Sequence, residues 1–152
     1  MTKVRLGSVI HATLRTEDLV PAFLEELKTL DPDRAAYYVE RIPAEALEDE
    51  DHIWWQTGEA MWMLEELFDV LNEYALPFTY FGALEGDGSD FGFWIDRYSL
   101  QEAIENGEVL RVEDLSEVPS DYEGLILVEN DRGNLTLYEC ASGNLLEVWS
   151  VV

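Results

Sequence analysis

Basic side chains are what this 152-residue chain has least of: nine Lys and Arg stand against 33 Asp and Glu, a formal net charge of −24. The shortage is uneven. Residues 1–41 hold 7 acids and 6 bases, whereas residues 42–152 hold 26 acids and only Arg97, Arg111 and Arg132, a net of −23. The 55 residues between Arg41 and Arg97 contain no base at all. A field of that sign repels nucleic acid and anionic membranes and draws basic partners. Direct DNA or RNA binding is therefore excluded as an expected activity. Cysteine is almost absent, and a single Cys140 cannot form an internal disulfide, which fits a reducing cytoplasm. No apolar run approaches the ~18 residues of a membrane span. The opening MTKVRLGSVIHATL lacks a small-residue cleavage site, so no signal peptide is read and a cytoplasmic location is expected.

Histidine is scarce as well. His11 and His52 are the only two, and no HExxH, CxxC, GxSxG or GKS pattern occurs. Zinc hydrolysis, thiol redox work and phosphate-loop catalysis thus have no local support, and no cofactor is expected. With an apolar fraction of 47% the chain should nevertheless fold, unlike most sequences of such charge. The length suits a single acidic domain spanning residues 1–152.

The densest stretch is DHIWWQTGEAMWMLEELFDVLNEYA, residues 51–75, which predicts one long helix. At 100° per residue, Met63, Val70, Tyr74, Leu67, Ala60, Leu71, Leu64, Ala75, Phe68 and Met61 share an arc of roughly 180°. Asn72, Glu65, Asp69, Glu73, Glu66 and Glu59 occupy the other. Trp62 breaks the division, projecting between Asp69 and Glu66. If the helix already runs at Trp55, that ring joins the same stripe seven residues earlier.

Around this helix the chain reads helices first and strands after. Residues 4–14 suggest a short strand and a loop. A helix is predicted over residues 17–30, capped by Thr16 or starting at Pro21, and another over residues 32–41, opened by Asp31 and Pro32. The connector to the long helix carries Glu48, Asp49, Glu50 and Asp51. Beyond Pro77 the period changes from 3.6 to 2, and residues 78–96 predict a β-hairpin with LEGDGSD at its turn. A short helix over residues 98–106, capped by Ser99 with Glu102 and stopped by Gly107, precedes a short strand over residues 109–112 and an irregular stretch over residues 115–122. GLILVEN, NLTLYECA and NLLEVWSVV, separated by DRG and SG, predict a β-meander. The fold class expected is α+β, with the long helix packed on a C-terminal antiparallel sheet.

The charged clusters admit several chemistries. Glu48, Asp49, Glu50, Asp51 and His52, or Glu85, Asp87, Ser89 and Asp90, could ligate a hard cation. The second set lacks the bidentate Glu of a calcium loop, because the twelfth residue counted from Asp87 is Tyr98. A hairpin turn accounts for Gly86 and Gly88 instead. A glycosidase carboxylate pair is defined by separation in space, which residue types alone do not give. Trp94 and Trp149, inside strands, read as core. Trp62, exposed beside acids, reads as an interface anchor.

The segment FTYFGALEGDGSDFGFWID, residues 78–96, and the later VLRVEDLSEVPSDYEG resemble stretches in uncharacterised acidic proteins encoded by phages, plasmids and integrated elements. The resemblance covers the second half of the chain and brings no catalytic residues. It implies a setting in which acidic anti-restriction and anti-CRISPR proteins imitate DNA. Independently, Glu59, Glu66 and Glu73 at seven-residue intervals would lie ~10 Å apart along a helix. Such spacing suits phosphate sites in a basic groove. The expected function is therefore a non-enzymatic inhibitor of a basic nucleic-acid-handling protein, such as a restriction or CRISPR effector. Its candidate contact residues are Glu48, Asp49, Glu50, Asp51, Trp55, Glu59, Trp62, Glu65, Glu66, Asp69 and Glu73. An immunity protein against a cationic nuclease toxin and a metal-dependent enzyme using the acidic clusters are the alternatives. The expected partner is a basic nucleic-acid-binding protein, and a dimer is among the oligomeric states open to the chain.

Overall fold

The computed structural model describes residues 4–151 and divides into two compact units. The first joins the described residues up to Ala75 with Tyr80–Trp94. The second joins Leu76–Thr79 with the residues from Ile95 onward. The class is α+β with a C-terminal sheet, as the order of helical and alternating segments leads one to expect.

The first unit opens with β1 (Gly7–Ile10), followed by α1 (Thr16–Leu30) and α2 (Pro32–Val39). Arg15, not Thr16, holds the cap position of α1 and caps nothing with its side chain. It instead pairs with Glu17 at 3.3 Å and Asp18 at 3.7 Å, which raises its affinity for its proton, Asp18 contributing most. Pro21 lies inside α1, beyond the first turn where proline is free of cost, because Leu19, Val20, Phe23, Leu24 and Leu27 bury the whole apolar face. Asp31 caps α2 as its pairing with Pro32 predicts, accepting from the Arg34 backbone N–H at 3.2 Å.

The stretch expected to be one long helix is two pieces, a 3-10 turn (Ile53–Gln56) and α4 (Gly58–Asn72), and the connector before it holds a short α3 (Ala44–Glu48). Thr57 makes the break. Its hydroxyl donates to the Trp54 carbonyl at 2.6 Å, closing the 3-10 turn, and accepts from the Ala60 N–H at 3.3 Å, opening α4.

The hairpin then supplies β2 (Thr79–Leu84) and β3 (Asp87–Ile95), and β1 joins it to give a sheet in the order β1-β3-β2. Gly86 turns the hairpin at φ 94, while Gly88, also expected at positive φ, does not adopt it. Gly92 is required for a different reason: a Cβ there would collide with the Gly7 carbonyl where β1 crosses β3. The long helix was expected on the C-terminal sheet. Within its own unit α4 packs on this hairpin sheet: Phe68 lies 6.0 Å from Phe81 and 5.6 Å from Phe91, with Phe23 of α1 among them. Hydrophobic periodicity says which face is buried but not which sheet covers it.

A groove of about 430 Å³ beside β1 is lined by Arg5, Leu6, Glu26 and Thr29 among others. Burial pushes the Glu26 carboxyl above its usual range, and Arg5 offsets only part of this. For a carboxyl the raised folded value means ionisation opposes folding. The penalty is absent below the unfolded value of about 4.3 and grows as pH rises through the window above it. Glu26→Gln should therefore melt higher than the parent at neutral pH and no higher at about pH 3. An equal gain at both pH values, measured by thermal melts, would contradict this account.

The second unit contains α5 (Arg97–Glu105), β4 (Val109–Val112), β5 (Gly124–Glu129), β6 (Leu135–Ala141) and β7 (Asn144–Val151). The cap of α5 is Asp96, which accepts from the Ser99 N–H at 3.2 Å, so Ser99 is one turn inside the helix it was expected to open. The meander β5-β6-β7 is antiparallel as its turns predict. Ser142 and Gly143, at φ 53 and 79, form the two-residue turn between β6 and β7. β4 adds to the other side of β5 in parallel, giving the order β4-β5-β6-β7. The connection between them is long enough to cross over and includes a 3-10 turn, Leu115–Glu117, in the stretch expected to be irregular. Asp114 caps that turn, and its hydrogen bonds from Ser116, the backbone N–H first, hold its carboxyl below the usual range. Ile126, Leu127, Leu135, Leu137 and Trp149 are buried in this unit, and the Trp149 indole donates to the Pro77 carbonyl at 2.8 Å.

Candidate acidic interface

The candidate face lies on α4 and the segment that leads into it, all within the first unit. α4 forms because Thr57 caps it, Glu59 sits favourably in its first turn, and Ala60, Met63, Leu64, Leu67, Val70 and Leu71 bury one continuous stripe. That stripe is the expected arc except at its margins. Met61 is 53% exposed and Phe68 is half-buried, the former because it sits at the edge next to Asn72 and Glu65.

The acids expected at seven-residue intervals are partnered within the chain. Glu59 accepts from the Trp54 indole at 3.3 Å, and Glu66 accepts from the Tyr38 hydroxyl at 3.4 Å. Glu73 binds the Arg34 guanidinium at 2.6 Å, and the same guanidinium reaches the Tyr74 hydroxyl, which donates to Asp31 at 3.0 Å. Arg34 holds its proton more tightly than usual, first through Tyr74 and then through Glu73. Tyr38 is likewise pushed up, by burial first and then by the charge of Glu66. Glu73 stands at the C-terminal end of α4, where the helix dipole disfavours an acid, and Arg34 compensates it. Glu66 and Glu73 thus form a seam to α2, and Glu59 holds the preceding turn. The long-range base Arg34 and the hydroxyl of Tyr38 could not be assigned to these acids by sequence spacing.

Trp55 is also off the face. The break at Thr57 turns it inward to 4% exposure, and its indole donates to the Ala46 and Asp49 carbonyls at 3.0 and 3.2 Å. Its expected place on the stripe required a helix already running at residue 55. The Thr57-Gly58-Glu59 sequence was the available signal against that, a capping residue with an acid in the following turn.

What remains outward is a ridge of Trp62, Glu65 and Asp69, with Met61 beside it. Trp62 is 43% exposed. Among the described residues neither Glu65 nor Asp69 has a side-chain hydrogen bond or ion pair. Helix rise places these two carboxylates ~6 Å apart along the axis. Met61, which the division into arcs assigned to the core, is exposed beside this ridge.

Glu48 ends α3, Asp49, Glu50 and Asp51 follow on the loop to the 3-10 turn, and all four are exposed. Asp49 accepts from the Asp51 N–H at 2.9 Å, and His52 accepts through Nδ1 from the Trp54 N–H at 3.1 Å. Asp87 likewise folds back on its own hairpin turn, accepting from the Ser89 N–H and hydroxyl at 3.1 and 2.9 Å. Among the described residues no group of three or more His, Cys, Asp or Glu side chains is placed to hold a metal ion. None of their helices is long and apolar enough to cross a membrane. Every acid of the chain is at least partly solvent-accessible, and among the described residues no charged side chain is buried.

No family model matches the chain, and neither a curated protein nor a solved structure does.

Proposed function

We propose that this protein is a non-enzymatic inhibitor that occupies the basic groove of a nucleic-acid-handling protein, a restriction or CRISPR effector, by imitating nucleic acid. The observation that carries the reading is the net of −23 over residues 42–152, held wholly on accessible side chains. Duplex DNA presents one negative charge per ~1.7 Å of axis, and its binding proteins line their grooves with Lys and Arg to match. The Trp62, Glu65 and Asp69 ridge supports a defined contact face, since an aromatic anchor supplies affinity and neighbouring charges supply steering. The acidic run Glu48, Asp49, Glu50 and Asp51, at the end of α3 and the loop after it, extends the same sign of charge.

A binding titration across a panel of such effectors tests the reading. Affinity for the true partner should fall roughly 100-fold or more between about 50 and 200 mM salt, because both surfaces release counterions on contact. The partner's DNA or RNA should compete for the same site. Binding that ignores salt, or a ternary complex with the nucleic acid still in its groove, would defeat mimicry.

A further inference from the structure

Trp62 differs from the other four tryptophans in what its indole N–H does. Trp54 donates to Glu59, Trp55 to the Ala46 and Asp49 carbonyls, Trp94 to the Gly82 carbonyl at 2.9 Å, and Trp149 to the Pro77 carbonyl. Among the described residues the Trp62 N–H has no acceptor and no other ring packs against it, and it is the one exposed tryptophan of the five. Packing does not account for this ring. Helix spacing sets Glu65 three and Asp69 seven residues beyond it on the same side of α4, and neither carboxylate is paired. Charge therefore selects a basic cleft as what covers the ridge.

The ring selects between kinds of nucleic acid to imitate. In a duplex the faces of the bases are stacked on one another, and the grooves offer a protein only base edges. A duplex mimic has use for the acids and none for a flat ring standing clear of the helix. An unpaired strand presents both, and the proteins that hold it combine a Lys and Arg channel with aromatic side chains on which its bases stack. Resting on the mimicry reading above, we propose that Trp62 imitates an unpaired base and that Glu65 and Asp69 imitate its neighbouring phosphates, so that the partner is an effector whose basic channel holds single-stranded nucleic acid by stacking. The free indole N–H supplies the donor that a base edge offers in such a cleft.

Competition tests this on the unaltered chain, so no folding defect enters. Against the effector that the salt titration picks out, an oligothymidylate longer than the ~4–16 nucleotides of such sites should displace the protein. A duplex of equal length should need a concentration at least ~10-fold higher. Two variants separate stacking from simple apolar contact: Trp62→Phe keeps a ring, and Trp62→Leu keeps apolar bulk without one. Leucine should weaken binding at least ~10-fold, the scale of one base–aromatic stack, and phenylalanine far less. Equal competition by the duplex, or equal losses for leucine and phenylalanine, would overturn the single-strand assignment and leave mimicry standing. Displacement by neither nucleic acid, or no salt-sensitive partner at all, would remove mimicry itself and this inference with it.

Discussion

Replacing Phe23 by alanine should destabilise the protein by about 3–5 kcal/mol, the range for removing a fully buried aromatic side chain. Phe23 is 0% exposed, and its ring stands edge-on to Phe68 and Phe81, each at 5.0 Å, with Phe91 at 6.0 Å. Edge-to-face geometry contributes beyond the area buried, so leucine should restore only part of the loss. The residue joins α1, α4 and the hairpin, three elements far apart in sequence, and their shared core has no other ring at that position. Such a loss is a large fraction of the ~5–15 kcal/mol that holds an ordinary domain together. Urea unfolding followed by tryptophan fluorescence would measure it. A midpoint shift worth less than about 1 kcal/mol would show that the aromatic cluster is not the centre of this unit.

Reversing the outward ridge, Glu65→Lys with Asp69→Lys, should lower affinity for the inhibited effector at least ~100-fold while leaving the melting temperature close to the parent's. Both side chains are exposed, so fold stability does not depend on them. Glu102→Lys with Glu105→Lys on α5 is the matched control, because it changes the net charge by the same amount on exposed residues of the second unit. If the ridge is the contact face, the control should lose far less. Equal losses would mean that the field of the whole molecule acts and no single face does. Full inhibition by the ridge variant would remove α4 from the interface. Glu66 and Glu73 are poor choices for this test, since their substitution would also cut the bonds to Tyr38 and Arg34.

The elements were legible where local chemistry is decisive. Asp31 with Pro32 marked the start of α2, Ser142 with Gly143 marked the last turn, and alternation marked β5 to β7. Boundaries failed where one residue served two neighbours. Thr57 closes one turn and opens the next, which periodicity alone runs together. Tertiary pairing failed for a different reason. The partners of Glu59, Glu66 and Glu73 lie 5, 28 and 39 residues away, and no spacing rule reaches the two distant ones. The candidate site was thus legible in its charge and in Trp62, but not in which acids stay free. Trp55 shows the cost of one broken helix: the same sequence distance that promised a stripe delivers a buried ring.

The pairing of β1 with β3 sets an order on the chain's birth. Ser8 and its bonded neighbour Asp90 are separated by 82 residues, and the helices and β2 of the first core lie between them. At ribosomal speeds of about 5–20 residues per second, the first strand waits roughly 4–16 s for its neighbour to be made. During that wait the helices emerge ahead of the sheet that will cover Phe23 and Phe68. A newly made chain of this protein is therefore most exposed to chaperones and proteases before its hairpin leaves the ribosome.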